Sequence, residues 1–209
     1  MPLHLLDHPL AEHCLAVLRD RRTEPDAFRR YCERLTLLLA AEATRDLPTV
    51  VTSVETPLES APARILVAPL VAVPILRAGL GMLPPVVDLF PDISVGYVGL
   101  ERDEETAVAR SYYRKFPPLN DRIVLLLDPM LATGGSAVEA VSALAAAGAQ
   151  DIRLLCVVAA PEGLALLADR FPTVAIYAAA RDRELNARKF ILPGLGDFGD
   201  RLYGTLGDE

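Results

Sequence analysis

The sequence is poor in the residues that usually announce a metal centre, a disulfide scaffold or a membrane span. It has no tryptophan, three histidines and three cysteines in 209 residues. Cys14, Cys32 and Cys156 are odd in number, far apart and set among apolar residues, with no CxxC pair. That excludes a disulfide framework and predicts buried free thiols, as in a reducing cytoplasm. His4, His8 and His13 do not make a metal site, because Pro9 breaks the helical spacing of the first two and no carboxylate cluster converges on them. Apolar runs such as Ile123–Leu127 are far short of the roughly 20 residues that cross a bilayer. The opening Met1-Pro2-Leu3-His4 lacks a basic segment followed by a long apolar run, so no signal peptide is expected. There is also no basic excess. The formal net charge is −7, which argues against a nucleic-acid partner. A small anion remains admissible, since a few cations and backbone N–H groups can hold a phosphate on an acidic protein. The signatures GxSxG, HExxH and GxxxxGK[ST] are absent.

What is present is an apolar content of 52%, ample for one buried core. Residues 9–46 read as two helices. Thr23 is expected to cap the second, with Pro25 and Asp26 in its first turn. Phe28, Tyr31, Cys32, Leu35, Leu38, Leu39 and Ala43 recur every three or four positions, as on one buried helix face. From about residue 49, short apolar runs alternate with helical stretches. The runs are Ile65–Ile75 (broken by Pro69 and Pro74), Ile93–Val98, Ile123–Leu127, Ile152–Val158 and Val174–Tyr177. The helices are expected near 79–90, 134–148 and 161–171. Strands apolar on both faces imply a parallel sheet covered by helices, an α/β fold. Residues 101–121 interrupt this rhythm with five consecutive charged residues, Glu101 to Glu105, and later Tyr112 to Pro118. A segment that polar and that long reads either as a functional lid or as a disordered loop.

The strongest local signal is the run Asp128-Pro129-Met130-Leu131-Ala132-Thr133-Gly134-Gly135-Ser136, directly after an apolar strand. Ligands of open parallel sheets bind beyond the carboxyl ends of the strands. Two glycines let successive N–H groups face one point, the following helix adds partial positive charge, and Thr133 and Ser136 add hydroxyls. The result is a cradle for a monophosphate, with Asp128 beside it for sugar hydroxyls. The competing reading is an ordinary turn capped by Thr133. A second signal is Arg77, which ends another apolar strand before Gly79 and Gly81. It reads either as a bidentate polyphosphate ligand or as a surface residue closing the strand. Gly194-Leu195-Gly196-Asp197-Phe198-Gly199 matches GxGxxG, but too little chain follows for a dinucleotide-binding unit. It reads instead as a glycine-rich loop approaching something small or flat.

Taken together, Ile75 to Met82, Arg102 to Thr106, Asp128 to Ser136, Ala159 to Gly163, and Pro193 to Asp197 with Gly199 and Asp200 resemble the uracil phosphoribosyltransferases, in order and over nearly the whole chain. The resemblance implies a type I phosphoribosyltransferase fold in a single domain over 1–209, with N-terminal helices (1–46), a mobile arm (101–121) and a C-terminal hood over the base (183–209). It implies that Asp128, Pro129, Met130, Leu131, Ala132, Thr133, Gly134, Gly135 and Ser136 hold the ribose and its 5-phosphate. Arg77 and Arg102 would hold the diphosphate of the donor, 5-phosphoribosyl 1-diphosphate, and Asp197 would also touch the donor. Ile191, Gly196, Asp197 and Phe198 would face uracil. Magnesium is implied, bound mainly through substrate and water, together with a homodimer or larger assembly and a GTP effector. The chain departs from the family where Asn186-Ala-Arg188-Lys189-Phe190-Ile191 stands in place of a common His-Gly-Tyr before the isoleucine, and where Phe198 replaces a common alanine.

The implied reaction needs no covalent nucleophile, and no Ser-His or Cys-His pair is evident. Holding the leaving group, shielding the sugar cation and placing the base are tasks of position and charge, for which Asp128, Arg77 and Arg102 are the catalytic candidates. Two rivals are a transferase for another base and a non-enzymatic regulator of the same fold. The Asp128-Pro129 pair and the hood sequence oppose the first; the acidic balance opposes the second.

Overall fold

A computed structural model describes residues 2–102 and 109–205, of which 101–102 and 109–111 by backbone alone. The chain opens with β1 (Leu3–Leu5), α1 (Pro9–Arg19) and α2 (Pro25–Ala43), followed by a hairpin of β2 (Thr49–Glu55) and β3 (Ser60–Leu66). Next come β4 (Leu70–Leu76), a 3-10 turn over Ala78–Met82, α3 (Leu83–Leu89), β5 (Ser94–Val95), β6 (Tyr97–Arg102) and β7 (Ala109–Lys115). The second half holds β8 (Ile123–Leu127), β9 (Met130–Leu131), α4 (Gly135–Ala146), β10 (Asp151–Ala159), α5 (Pro161–Arg170) and β11 (Ala175–Arg181). It closes with β12 (Glu184–Leu185), β13 (Ile191–Leu192) and α6 (Phe198–Tyr203).

The main sheet runs β1-β11-β10-β8-β4-β6-β7, with β5 beside β4 and β9 beside β10. Every pairing is parallel except β6 with β7. This is the mostly parallel, helix-covered sheet that the apolar runs imply. Alternation along each central strand feeds two cores. Ala72, Leu125, Leu127, Leu155 and Val157 pack under α1, α2, α3 and α6, while Val71, Val73, Val124, Leu126 and Leu154 pack under α4 and α5. Cys14, Cys32 and Cys156 are free and buried, as expected.

Several expectations need correction. Thr23 does not cap α2. Glu24 occupies that position without a side-chain bond, and the Thr23 hydroxyl donates to the Val17 carbonyl at 2.6 Å, closing the turn from α1 instead. The run from Ile65 to Ile75 is not one interrupted strand. Its first residues finish a hairpin in register from Thr49↔Leu66 to Glu55↔Ser60, and the sheet strand begins only at Leu70, after Pro69. The helix expected over 79–90 starts as a 3-10 turn. Pro84 and Pro85 then enter the first turn of α3, where a missing N–H costs nothing. The three histidines are spoken for locally: His4 stacks on Tyr177, His8 accepts the Leu10 N–H at the start of α1, and His13 meets the edge of Tyr31.

Candidate active site

Parallel strands β4 and β8 are neighbours, and both stop at the same end of the sheet. Beyond them lies a cavity of about 480 Å³. One wall is the turn Leu76-Arg77-Ala78; the next runs from Asp128 through Ser136 into α4. The third is the β12–β13 hairpin tip, Arg188 to Ile191, and the fourth is Gly196 to Gly199. The first two walls approach closely because Gly79 lacks a side chain. A Cβ there would lie 2.3 Å from the Leu127 carbonyl oxygen.

The second wall is built as the sequence suggests. After β8, Met130 and Leu131 form the short β9 against Val158 and Ala159, which fixes the loop to the sheet. Gly134 then sits at φ +83 and starts α4 without a side-chain cap. Only glycine adopts that turn easily, and a Cβ would also press on the Gly163 carbonyl at 3.0 Å. Thr133 is therefore not a normal cap. Its hydroxyl is 3.5 Å from the Gly135 N–H, leaving the helix N-terminus open toward the cavity. Asp128 keeps one edge on the cavity, where water reaches it, while strand and loop enclose the rest. Burial pushes its pKa up to about 7, opposed by the Met130 N–H, 3.4 Å from Oδ1.

Arg77 is exposed at the end of β4. Arg102 ends β6, but its side chain lies outside the described residues, as do residues 103–108 of the expected arm. On the hood side, Ile191 is buried and Gly196 is exposed at φ +78. Asp197 caps α6, accepting the Asp200 N–H at 2.9 Å. The Phe198 ring is only 2% exposed and meets Phe28 edge-on at 5.0 Å. What residue 198 offers the cavity is therefore mainly its backbone.

Sequence reasoning missed the residues that fasten this loop. Arg19 pairs with the buried Asp182 and donates to the Gly194 carbonyl. Arg201 donates to the carbonyls of Leu18, Leu195 and Asp20, and lies over the Phe28 ring. It also missed Arg188, Lys189 and Phe190 as cavity residues. Only the unusual tail sequence pointed to them.

Fold and site together define a phosphoribosyltransferase-type α/β protein. A hypoxanthine-guanine phosphoribosyltransferase from Bacillus anthracis shares the fold at a TM-score of 0.52, with 9% identity over 76% of this chain and 80% of that one. A protein from Aquifex aeolicus superposes far better, at a TM-score of 0.91, with 36% identity over 96% and 97% of the two chains. The sequence model for uracil phosphoribosyltransferase matches residues 5–205, and the chain belongs to that family. The uracil phosphoribosyltransferase of Shouchella clausii is 48% identical over 97% of this chain and 98% of its own length. That of Oceanobacillus iheyensis is 47% identical over 96% and 97%.

Proposed function

We infer that this protein transfers the phosphoribosyl group of 5-phosphoribosyl 1-diphosphate to uracil, giving uridine 5′-monophosphate and diphosphate. The observation that carries this reading, within the family found above, is the cavity itself. It joins an uncapped, glycine-led helix N-terminus, a strand-end carboxylate and a strand-end arginine on one side to the glycine-containing loop Gly196 to Gly199 on the other.

In this reading the first turn of α4, with Thr133 and Ser136, takes the 5-phosphate, and Asp128 takes ribose hydroxyls. Arg77 and Arg102 take the diphosphate. Breaking the bond from C1 to diphosphate leaves an oxocarbenium-like sugar, so charge placement and exclusion of water supply the acceleration. Backbone groups around Ile191, Gly196, Asp197 and Phe198 read the uracil edge. Magnesium belongs to this proposal. Among the described residues no group of three or more His, Cys, Asp or Glu could form a protein cage for it. The donor set near the cavity, Asp128 and Asp197, suits an ion held mainly by substrate oxygens and water, where it would neutralise diphosphate charge. Family membership also supports GTP as an effector, read by adding it to the assay. The free thiols suit a cytoplasmic setting, and no described helix is long and apolar enough to cross a membrane.

A homodimer or larger assembly is part of the same reading. The β2–β3 hairpin exposes Val50, Val51, Val54, Ile65 and Leu66, with Val51 69% exposed, and among the described residues its strands pair only with each other. A lone two-stranded hairpin is marginal in water, and such a face favours a second copy. Sedimentation of a stable, active monomer would refute this. The decisive test of function is incubation with uracil, donor and magnesium. Uridine 5′-monophosphate is expected, and failure to form it, or a preference for another base in competition, would overturn the reading.

A further inference from the structure

Between β12 and β13 the chain turns through Asn186 to Phe190, and four hydrogen bonds fix the turn. The Asn186 carboxamide oxygen accepts the N–H groups of Arg188 at 2.9 Å and Phe190 at 3.0 Å. The Asn186 N–H donates to the Phe190 carbonyl at 2.8 Å, and its own carbonyl accepts the Lys189 N–H at 2.9 Å. This geometry forces Lys189 to φ +66. A left-handed position in a short hairpin turn ordinarily goes to glycine, and a long side chain there carries a backbone cost. Lys189 lines the cavity beside Ile191, and among the described residues neither it nor Arg188 has a carboxylate partner. The sequence thus places an unpaired cation where the backbone favours no side chain, on the wall that also presents Ile191 and facing the wall of Gly196 to Gly199.

We propose that Lys189 is a rate- and specificity-determining cation for the base, stabilising uracil as its N1 gives up a proton. The inference rests on the uracil reading above. Uracil is neutral near pH 7, yet its N1 must form a bond to C1. The N1–H bond breaks and the proton passes to water; the N1 electron pair forms the bond to C1 as the C1–O pair leaves with diphosphate. Negative charge accumulates on the ring before the new bond is complete, and a nearby ammonium lowers its cost. The donor's own anionic groups already have the α4 N-terminus and Arg77. Among the described residues lining the hood side of the cavity, the charged one besides Arg188 and Lys189 is Asp197, whose sign opposes a base anion. The hairpin's other nearby acids are Glu184 and Glu162, and Glu162 already accepts the Leu185 N–H at 3.0 Å.

Lys189→Gly keeps the turn, because glycine adopts φ +66 freely, so its thermal midpoint should hold or rise. At pH 7 its kcat/KM for uracil should fall about tenfold, a change of about 1.4 kcal/mol. The deficit should shrink as pH rises toward ionisation of uracil itself, and should be smaller for the more acidic 5-fluorouracil. KM for phosphoribosyl diphosphate should stay within about twofold, and Lys189→Arg should retain most of the rate. A loss equal at every pH and for both bases would overturn the proposal in favour of a structural role. A loss confined to donor KM would assign the cation to the donor and overturn it as well. Unchanged kinetics would make Lys189 an ordinary turn residue. Wild-type protein that makes no uridine 5′-monophosphate would instead refute the underlying function, so the two failures are distinct.

Discussion

Arg19 and Asp182 meet face to face, Nη2 to Oδ1 at 2.5 Å and Nη1 to Oδ2 at 2.9 Å, although 163 residues separate them. The same carboxylate accepts the Gly194 N–H at 2.9 Å, and the same guanidinium donates to the Gly194 carbonyl. One ion pair therefore bolts the last turn of α1 to the loop that leads into Gly196, Asp197 and Phe198. Asp182 is nearly sealed, its side chain 4% exposed. Removing one partner of such a pair strands the other charge, at a cost of about 3–5 kcal/mol. Asp182→Ala should thus lower the thermal midpoint and raise KM for uracil more than KM for the donor. Equal changes in both constants would show that the loop does not depend on this pair.

Asp128 gives a prediction with a definite pH sign. Its folded pKa is raised, from 3.8 to about 7. A carboxyl so shifted contributes stability in its protonated form. That contribution is complete below the unfolded pKa and is lost as pH rises through about 7. Asp128→Asn removes the loss, so the variant should gain stability relative to wild type between pH 4 and pH 8, by at most about 4 kcal/mol. Denaturant unfolding at the two ends of that range measures it. Activity should move the other way, because the proposal needs the ionised group on the ribose. Losing one charge-assisted hydrogen bond costs about 1.5–3 kcal/mol, or roughly tenfold to a hundredfold in rate. A folded Asp128→Asn with wild-type turnover would remove Asp128 from the site.

Arg77 and Arg102 are expected to share the diphosphate. Alanine at either should weaken binding of the donor and of diphosphate more than binding of uracil, measured by product inhibition and by titration. Loss of uracil binding to the same degree would indicate a general effect on the fold. Arg77 also bears on α6, since its carbonyl accepts the Tyr203 hydroxyl at 3.3 Å. A substitution that moves only the side chain should leave that contact in place.

The legible parts of this protein are those where burial writes a pattern. β8 falls on Ile123–Leu127 as read, because a central parallel strand is apolar on both faces. The face of α2 is equally plain, with Phe28, Cys32, Leu35, Leu39 and Ala43 all buried. The β2–β3 hairpin was illegible for the converse reason. Both its faces are largely exposed, so its valines carry no one-sided alternation. β1 is three residues at a sheet edge, too short for any period. In the site, Asp128 and Gly134 are legible because strand end, glycine turn and helix are contiguous. Arg19, Asp182 and Arg201 are not, because their partners are set by tertiary approach across most of the chain.

Phe198 is where the sequence allowed two roles, a ring under the hood or a ring narrowing the space beside the base. The ring packs edge-on against Phe28, and the Arg201 guanidinium lies over the Phe28 ring, 4.5 Å from its centroid. This is a buried edge-to-face contact at the joint between α2 and α6, and it favours the structural role. Phe198→Ala should therefore cost about 3–5 kcal/mol through the cavity it leaves, seen as a lower thermal midpoint. The ratio of kcat/KM for 5-fluorouracil to that for uracil should not change, since the ring does not set the room at the base. Cytosine should still be refused. It presents a donor where uracil presents an acceptor, and backbone groups that read that edge would be left unpaired whatever residue stands at 198. A rise in the 5-fluorouracil ratio at unchanged stability would put the ring beside the base after all.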